Sequence, residues 1–150
     1  MANLLQEDIK KSANELGYVH RRLRDMNMYK NSSSPFDELV MSNTKVLALE
    51  CKLLRSRKSG NPKSFPFARL SDDQRKGLLK WDKKDICDSY VILNFRWMDH
   101  KKGKCFALPI SEFIYLEQAL DRKSIPLDYF ESNVLELPRY NVGWDLRLLM

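Results

Sequence analysis

Leu5, Ile9, Ala13 and Leu16 recur at steps of about four and stop at Gly17, a spacing that predicts an amphipathic first helix closed by glycine. Tyr18 to Arg24 alternates as a strand does, and the polar run from Lys30 to Ser34 ahead of Pro35 reads as a loop. Phe36 to Met41 and Lys45 to Lys52 are β-rich runs around Ser42, Asn43 and Thr44, the pattern of a hairpin. Gly60 and Pro62 among basic residues make Arg55 to Lys63 an exposed, mobile loop. Ser71 and Asp72 cap a helix running to about Lys80, with Leu78, Leu79 and Trp81 as its apolar contacts. Ser89 to Trp97 is the strongest strand pattern, and Asp99 to Gly103 turns it into Lys104 to Ile110. Ser111 is expected to cap a final long helix through Leu120. Beyond Pro126, Tyr129, Phe130, Tyr140 and Trp144 predict a tail that packs on the domain or on a second subunit. The order is α-βββ-α-ββ-α: an α/β protein with a mixed β-sheet flanked by helices, in a single domain over residues 1–150.

Composition narrows the class. With 43% hydrophobic and 31% charged residues the chain is globular rather than disordered or fibrous. No apolar run approaches the roughly 20 residues that span a bilayer, and Glu7 and Asp8 interrupt the N-terminus before any signal-like stretch. A cytoplasmic protein without a membrane partner is expected. Cys51, Cys87 and Cys105 are dispersed and include no CxxC, which supports neither a disulfide framework nor a zinc site. Net charge is +6, but it is uneven: residues 52–84 hold eleven basic and three acidic side chains. Such a segment suits a phosphate-tracking surface, although a solvated loop and helix would carry the same charge.

Candidate chemistry lies on the hairpin. If Asn43 and Thr44 form its two-residue loop, Ser42 pairs with Lys45, and counting outward sets Asp37 opposite Glu50. Lys52 then shares the face of Glu50, while Cys51 points away. Two carboxylates facing each other need a compensating cation, and hard oxygen donors suit magnesium or manganese. With Lys52 beside them to orient or activate water, this is a layout for metal-assisted phosphodiester hydrolysis. The same residues would also fit an ordinary amphipathic hairpin with Glu50 and Lys52 facing solvent. The apolar run Val46-Leu47-Ala48-Leu49 weighs against that, since it buries the strand leading into Glu50.

Pro35-Phe36-Asp37, the thirteen-residue step to Glu50, and Lys52 resemble the PD-(D/E)xK nuclease signature. Ser64-Phe65-Pro66-Phe67 followed by Gln74 resembles the corresponding segment of RecU-type Holliday junction resolvases. The resemblance runs from about Glu7 to Phe95. It implies a restriction-endonuclease-like core and a homodimeric, divalent-metal-dependent endonuclease that cleaves branched DNA such as four-way junctions. It implies Asp37 and Glu50 as metal carboxylates, Lys52 as the catalytic lysine, Gln74 as the motif glutamine on the following helix, and Glu7 as the upstream acid. The bacterial members carry a long stalk insertion where this chain has only Asp25 to Pro35. The short loop with Ser32, Ser33 and Ser34 is closer to the compact archaeal junction resolvases, and the small size would suit a phage-encoded form. A nuclease for linear or damaged DNA, or a non-catalytic DNA-binding module, are the alternatives; intact Asp37, Glu50 and Lys52 argue against the latter.

Magnesium or manganese is the cofactor implied, with no small-molecule cofactor. For the DNA backbone the candidates are Arg21 and Arg24 on the strand before the serine loop, Ser33 within it, Arg55, Arg57, Lys58 and Lys63 in the basic loop, and Arg75 and Lys76 on the helix beyond. His20 and His100 are isolated and read as structural or exposed. Trp81, Trp97 and Trp144 read as core or interface residues.

Overall fold

Strand β3 (Val46–Arg55) alternates its side chains between two apolar layers, and the architecture follows from covering both of its faces. The computed structural model describes residues 3–23, 35–97 and 100–150, with the backbone alone at 100 and 101. Helix α1 (Leu4–Glu15) opens on a reciprocal cap: Asn3 Oδ1 accepts Gln6 N–H and Gln6 Oε1 accepts Asn3 N–H, both at 2.9 Å. It ends where expected, at Gly17 with φ +76°. Strands β1 (Val19–Arg22) and β2 (Glu38–Met41) precede β3, and the short β4 (Ser64–Pro66) precedes helix α2 (Asp72–Trp81). Then come β5 (Cys87–Trp97), β6 (His100–Pro109), α3 (Ile110–Ala119), β7 (Ser124–Pro126), α4 (Leu127–Asn133) and β8 to β10 (Leu135–Leu137, Arg139–Tyr140, Gly143–Trp144).

The main sheet has the order β1-β2-β3-β5-β6-β8, with β3 and β5 parallel and every other neighbour antiparallel. On one face Ala48, Leu54, Leu93 and Phe95 pack under α2, α3 and α4 with Phe36, Phe65, Leu78, Phe113 and Phe130. On the other, Leu47, Leu49, Cys51 and Ile92 pack under α1 with Leu5, Ile9, Trp144 and Leu146. The two central strands are therefore apolar on both sides, as a parallel pair requires.

Four expectations are corrected. Parallel pairing with β5, which continues to Arg55 opposite Arg96, carries β3 three residues past Lys52. The segment from Arg55 to Lys63 is exposed as expected but closes as a hairpin rather than an open loop: Arg57 and Gly60 exchange both backbone bonds at 2.9 Å, and Ser56 N–H donates to Arg96 O at 3.1 Å. Ser111 lies within α3, whose N-cap is Pro109, because the extended Pro109 already ends the strand. Nor is α3 the last helix; the tail forms α4 and three short strands. It packs on its own domain, with Phe130, Leu137, Trp144, Leu146 and Leu149 buried.

Helix α2 approaches the strand side of the molecule through Gly77. A Cβ there would sit 2.3 Å from Pro35 Cβ and 2.5 Å from Pro35 O. The neighbouring Phe36 ring meets Trp81 edge-on at 5.5 Å. Gly77→Ala should lower stability by roughly 1–3 kcal/mol despite alanine's better helix propensity, because the overlap is with backbone that cannot yield. A thermal unfolding midpoint equal to or above that of wild type would show that the seat is looser than this geometry.

Candidate active site

The register of β2 on β3 pairs Glu38 with Leu49 and Met41 with Val46, and Ser42 N–H donates to Lys45 O at 2.9 Å. The same count continued outward sets Asp37 beside Glu50, the pairing that a two-residue loop dictates. Asp37 turns its Oδ2 to accept the backbone N–H of Cys51 at 2.9 Å, so the residue is locked to β3 at the point where β2 begins. Glu50 and Lys52 project to the α2 side of the sheet with Ala48 and Leu54, and Cys51 projects into the α1-side core.

Glu50 is only 2% exposed. Its Oε1 receives Lys52 Nζ at 3.0 Å and Gln74 Nε2 at 2.7 Å. Gln74 Oε1 in turn accepts Lys52 Nζ at 3.3 Å and the backbone N–H of Ser71 at 2.9 Å. Ser71 Oγ accepts Gln74 N–H at 3.2 Å, which completes a capping box. One glutamine thus caps α2, orients a buried carboxylate and holds a lysine. The motif assigned to Gln74 and the helix start assigned to Ser71 are a single hydrogen-bonded unit.

The electrostatics of the unit are unbalanced. Burial, then the charge of Asp37, pushes the Glu50 carboxyl up to about 7, against the lowering pull of Lys52. Glu50 Oε2 is buried and has no hydrogen-bond partner. An orphaned carboxylate oxygen beside a second carboxylate, with one ammonium for two negative charges, fits an oxygen-preferring divalent cation. Among the described residues no group of three or more His, Cys, Asp and Glu converges as a complete cage. Asp37 and Glu50 would therefore hold magnesium or manganese as partial ligands, leaving positions for water and substrate oxygens.

The other candidates are dispersed. Glu7 pairs with Arg22 at 3.3 Å in a cluster on the α1 side, where Arg22 Nε also meets the fully buried Glu38 at 3.0 Å and His20 Nε2 lies 2.5 Å from Glu38 Oε2. Glu7 is engaged there, across the sheet from Lys52 and Gln74. Arg21 is exposed on β1, and Lys76 is exposed on α2. Arg55, Arg57 and Lys63 line one open cleft of about 530 Å³, while Lys58 stands exposed at the hairpin tip beside it. Arg24 and Ser33 lie outside the described residues.

Arg75 is a correction in kind. Its guanidinium binds Glu117 through Nε at 3.1 Å and Nη2 at 2.6 Å, donates to Phe67 O at 2.9 Å and to Leu70 O, reaches Asp72 at 3.2 Å, and covers the Phe113 ring. All five donors are spent inside the protein. Arg75 therefore ties α2 to α3 and to the turn at 67–70 rather than offering itself to a phosphate. Its partner Glu117 is far off in sequence, which hid the role. Trp144 is buried as expected of a core residue, whereas Trp81 meets the Phe36 ring but stays partly exposed at the end of α2.

Comparison with known proteins gives a fold. No family model matches the sequence, and no curated protein sequence matches it. Among solved structures the chain is similar to Hjc of Archaeoglobus fulgidus, a Holliday junction resolvase from an archaeal hyperthermophile. The two share 19% identity, the match covers 88% of this chain and 93% of that one, and the TM-score is 0.51. The fold is accordingly restriction-endonuclease-like, a mixed sheet flanked by helices.

The raised carboxyl has a consequence for stability. Glu50 titrates near 4.5 when unfolded and near 7 in the fold, so between those values the folded state keeps a proton that the unfolded chain releases. Without divalent cations, stability should be greatest below about pH 4.5 as far as this group is concerned. It should fall by on the order of 3 kcal/mol as pH rises through 7. Denaturant titrations at pH 5 and pH 8 should show that slope in wild type and a much smaller one in Glu50→Gln. Identical slopes would remove Glu50 as its source.

Proposed function

We propose that the protein is a divalent-metal-dependent endonuclease that hydrolyses phosphodiester bonds in branched DNA, four-way junctions foremost. The observation that carries this reading is the buried Glu50 with its unpartnered Oε2, set against Asp37 and held by Lys52 and Gln74. Burying such a group costs stability, and the cost makes sense where a cation and a phosphate complete the site. A bound magnesium or manganese would supply the charge that polarises a phosphoryl group and makes water nucleophilic at neutral pH.

The chain's own residues do the rest. Gln74 Nε2 fixes one oxygen of Glu50, which leaves the other facing the place a cation would take. Asp37, pinned by the Cys51 N–H, brings the second carboxylate to the same place. Lys52 keeps its ammonium within 3.0 Å of Glu50, where it can hold a water by hydrogen bonding and counter the charge that develops on the phosphate oxygens. The fold likeness to an archaeal junction resolvase supports branched DNA as the substrate, and cutting two strands of a junction requires two such sites, hence a homodimer.

The test is incubation of a synthetic four-way junction and a matched linear duplex with magnesium and with a chelator. Magnesium-dependent cutting of the junction in preference to the duplex is expected. Asp37→Asn and Glu50→Gln should reduce cutting to background while retaining junction binding in chelator, and Lys52→Ala should slow it by about 100- to 1,000-fold. Unimpaired cutting by either carboxylate variant would dismiss the site, and cutting that persists in chelator would dismiss metal dependence.

A further inference from the structure

Three residues beyond Glu50 along β3, about 10 Å at strand rise, the chain enters the basic cleft at Leu53. Its walls are the end of β3, the hairpin at 57–60, β4 and the turn at 67–69, and it encloses about 530 Å³. Four cations line it, Arg55, Arg57, Lys63 and Arg69, and no carboxylate does. Elsewhere Arg22, Lys45, Lys52, Arg75, Lys83, Arg96, Lys102, Lys104 and Arg147 have carboxylate partners within 4.0 Å. Among the described residues none of the four cleft cations is in such an ion pair.

Arg69 was not among the candidates read from the sequence, and it is the most telling of the four. Its two terminal nitrogens share one acceptor, Leu53 O, at 3.4 Å each, so its donors are poorly used. Burial and the neighbouring charge of Arg57 both hold its basicity below the usual arginine value. Two guanidinium groups thus line one cleft whose walls carry no carboxylate, each on a backbone segment tied to its neighbours. Arg57 sits on the closed hairpin. Arg69 sits on the turn that Arg75 clasps through Phe67 O and Leu70 O.

We propose that Arg57 and Arg69 form a clamp for a single backbone phosphate of the DNA strand, placed in the basic cleft away from the Asp37–Glu50 site. One phosphate between two guanidinium groups relieves their repulsion and supplies the acceptors that Arg69 lacks. The clamp takes its ligand from the DNA reading above, but it concerns binding and not cutting.

Binding to a four-way junction and to a duplex of equal length is measured by fluorescence anisotropy in chelator, over a range of salt, for wild type, Arg57→Gln, Arg69→Gln, the double variant and Arg69→Lys. Each neutralised phosphate contributes roughly 0.9 to the slope of log affinity against log salt. Each single glutamine variant should weaken binding to both DNAs. The double variant should lose only about 0.9 of slope in total, since one phosphate is lost, and Arg69→Lys should keep the slope. Arg69→Gln should also unfold no earlier than wild type in the absence of DNA, which checks that the variant is folded and that the pair repels. A double variant that loses about 1.8 would mean two independent contacts and no clamp, and unaltered affinity and slope would overturn the proposal altogether. Wild-type protein that binds through this pair yet cuts no DNA leaves the clamp standing and the nuclease reading refuted; cutting with binding indifferent to both arginines does the reverse.

Discussion

A carboxylate buried at the heart of a sheet face governs the arrangement around it. Glu50 follows an apolar run and is flanked by two hydrogen-bonded strands, so it cannot swing to water. Partners have to be brought to it. Lys52 comes from the same strand, two residues on, by the alternation of the pleat. Gln74 comes from α2, and only because that helix begins at the right height and lies close enough. The missing side chain at Gly77 permits the closeness, and the Ser71 cap sets the height.

The first turn of α2 therefore serves two regions at once. Gln74 faces the carboxylates, and Arg75, one residue on, faces the turn that carries Arg69. Consecutive helical residues point about 100° apart, and here the two directions meet the acidic site and the wall of the basic cleft. Glu117 on α3 holds Arg75 through two oxygens, which makes the tie directional as well as charged. A change on α3, well away from Glu50, would loosen both regions together.

What could be read in advance depended on the range of the interaction. The Asp37–Glu50 register was legible because a two-residue loop and the period of a strand determine it locally. Ser71 as a cap and Gln74 as a candidate were each legible, and their mutual bond is local, although the reach of Gln74 to Glu50 and Lys52 was not, since it depends on how α2 docks. Arg75 looked like a surface cation because its partners, Glu117 and Phe113, come from a distant helix. His20 looks isolated in the sequence for the same reason: its pairing with Glu38 crosses from β1 to β2. The tail was opaque because strands of two or three residues carry almost no periodicity, and tertiary contacts alone make Leu135–Leu137 an edge strand beside β6.

The α1 face is closed by chain segments from opposite ends of the described sequence. Trp144 N–H donates to Ser12 Oγ at 2.8 Å, Gly143 lies so close to Ser12 that a Cβ would strike its hydroxyl, and Leu146 and Leu149 join Leu5 and Ile9 in one cluster. During synthesis α1 emerges early but has no finished surface to rest on until residues 143–149 follow. Its docking is a late event of high sequence separation, for which loop-closure entropy is paid before the contacts return it. The opposite layer, with Phe65, Leu93, Phe113 and Phe130 in hand by residue 130, can assemble before that point. Order of assembly on the ribosome thus favours the face that bears Glu50 and leaves its reverse to be sealed last.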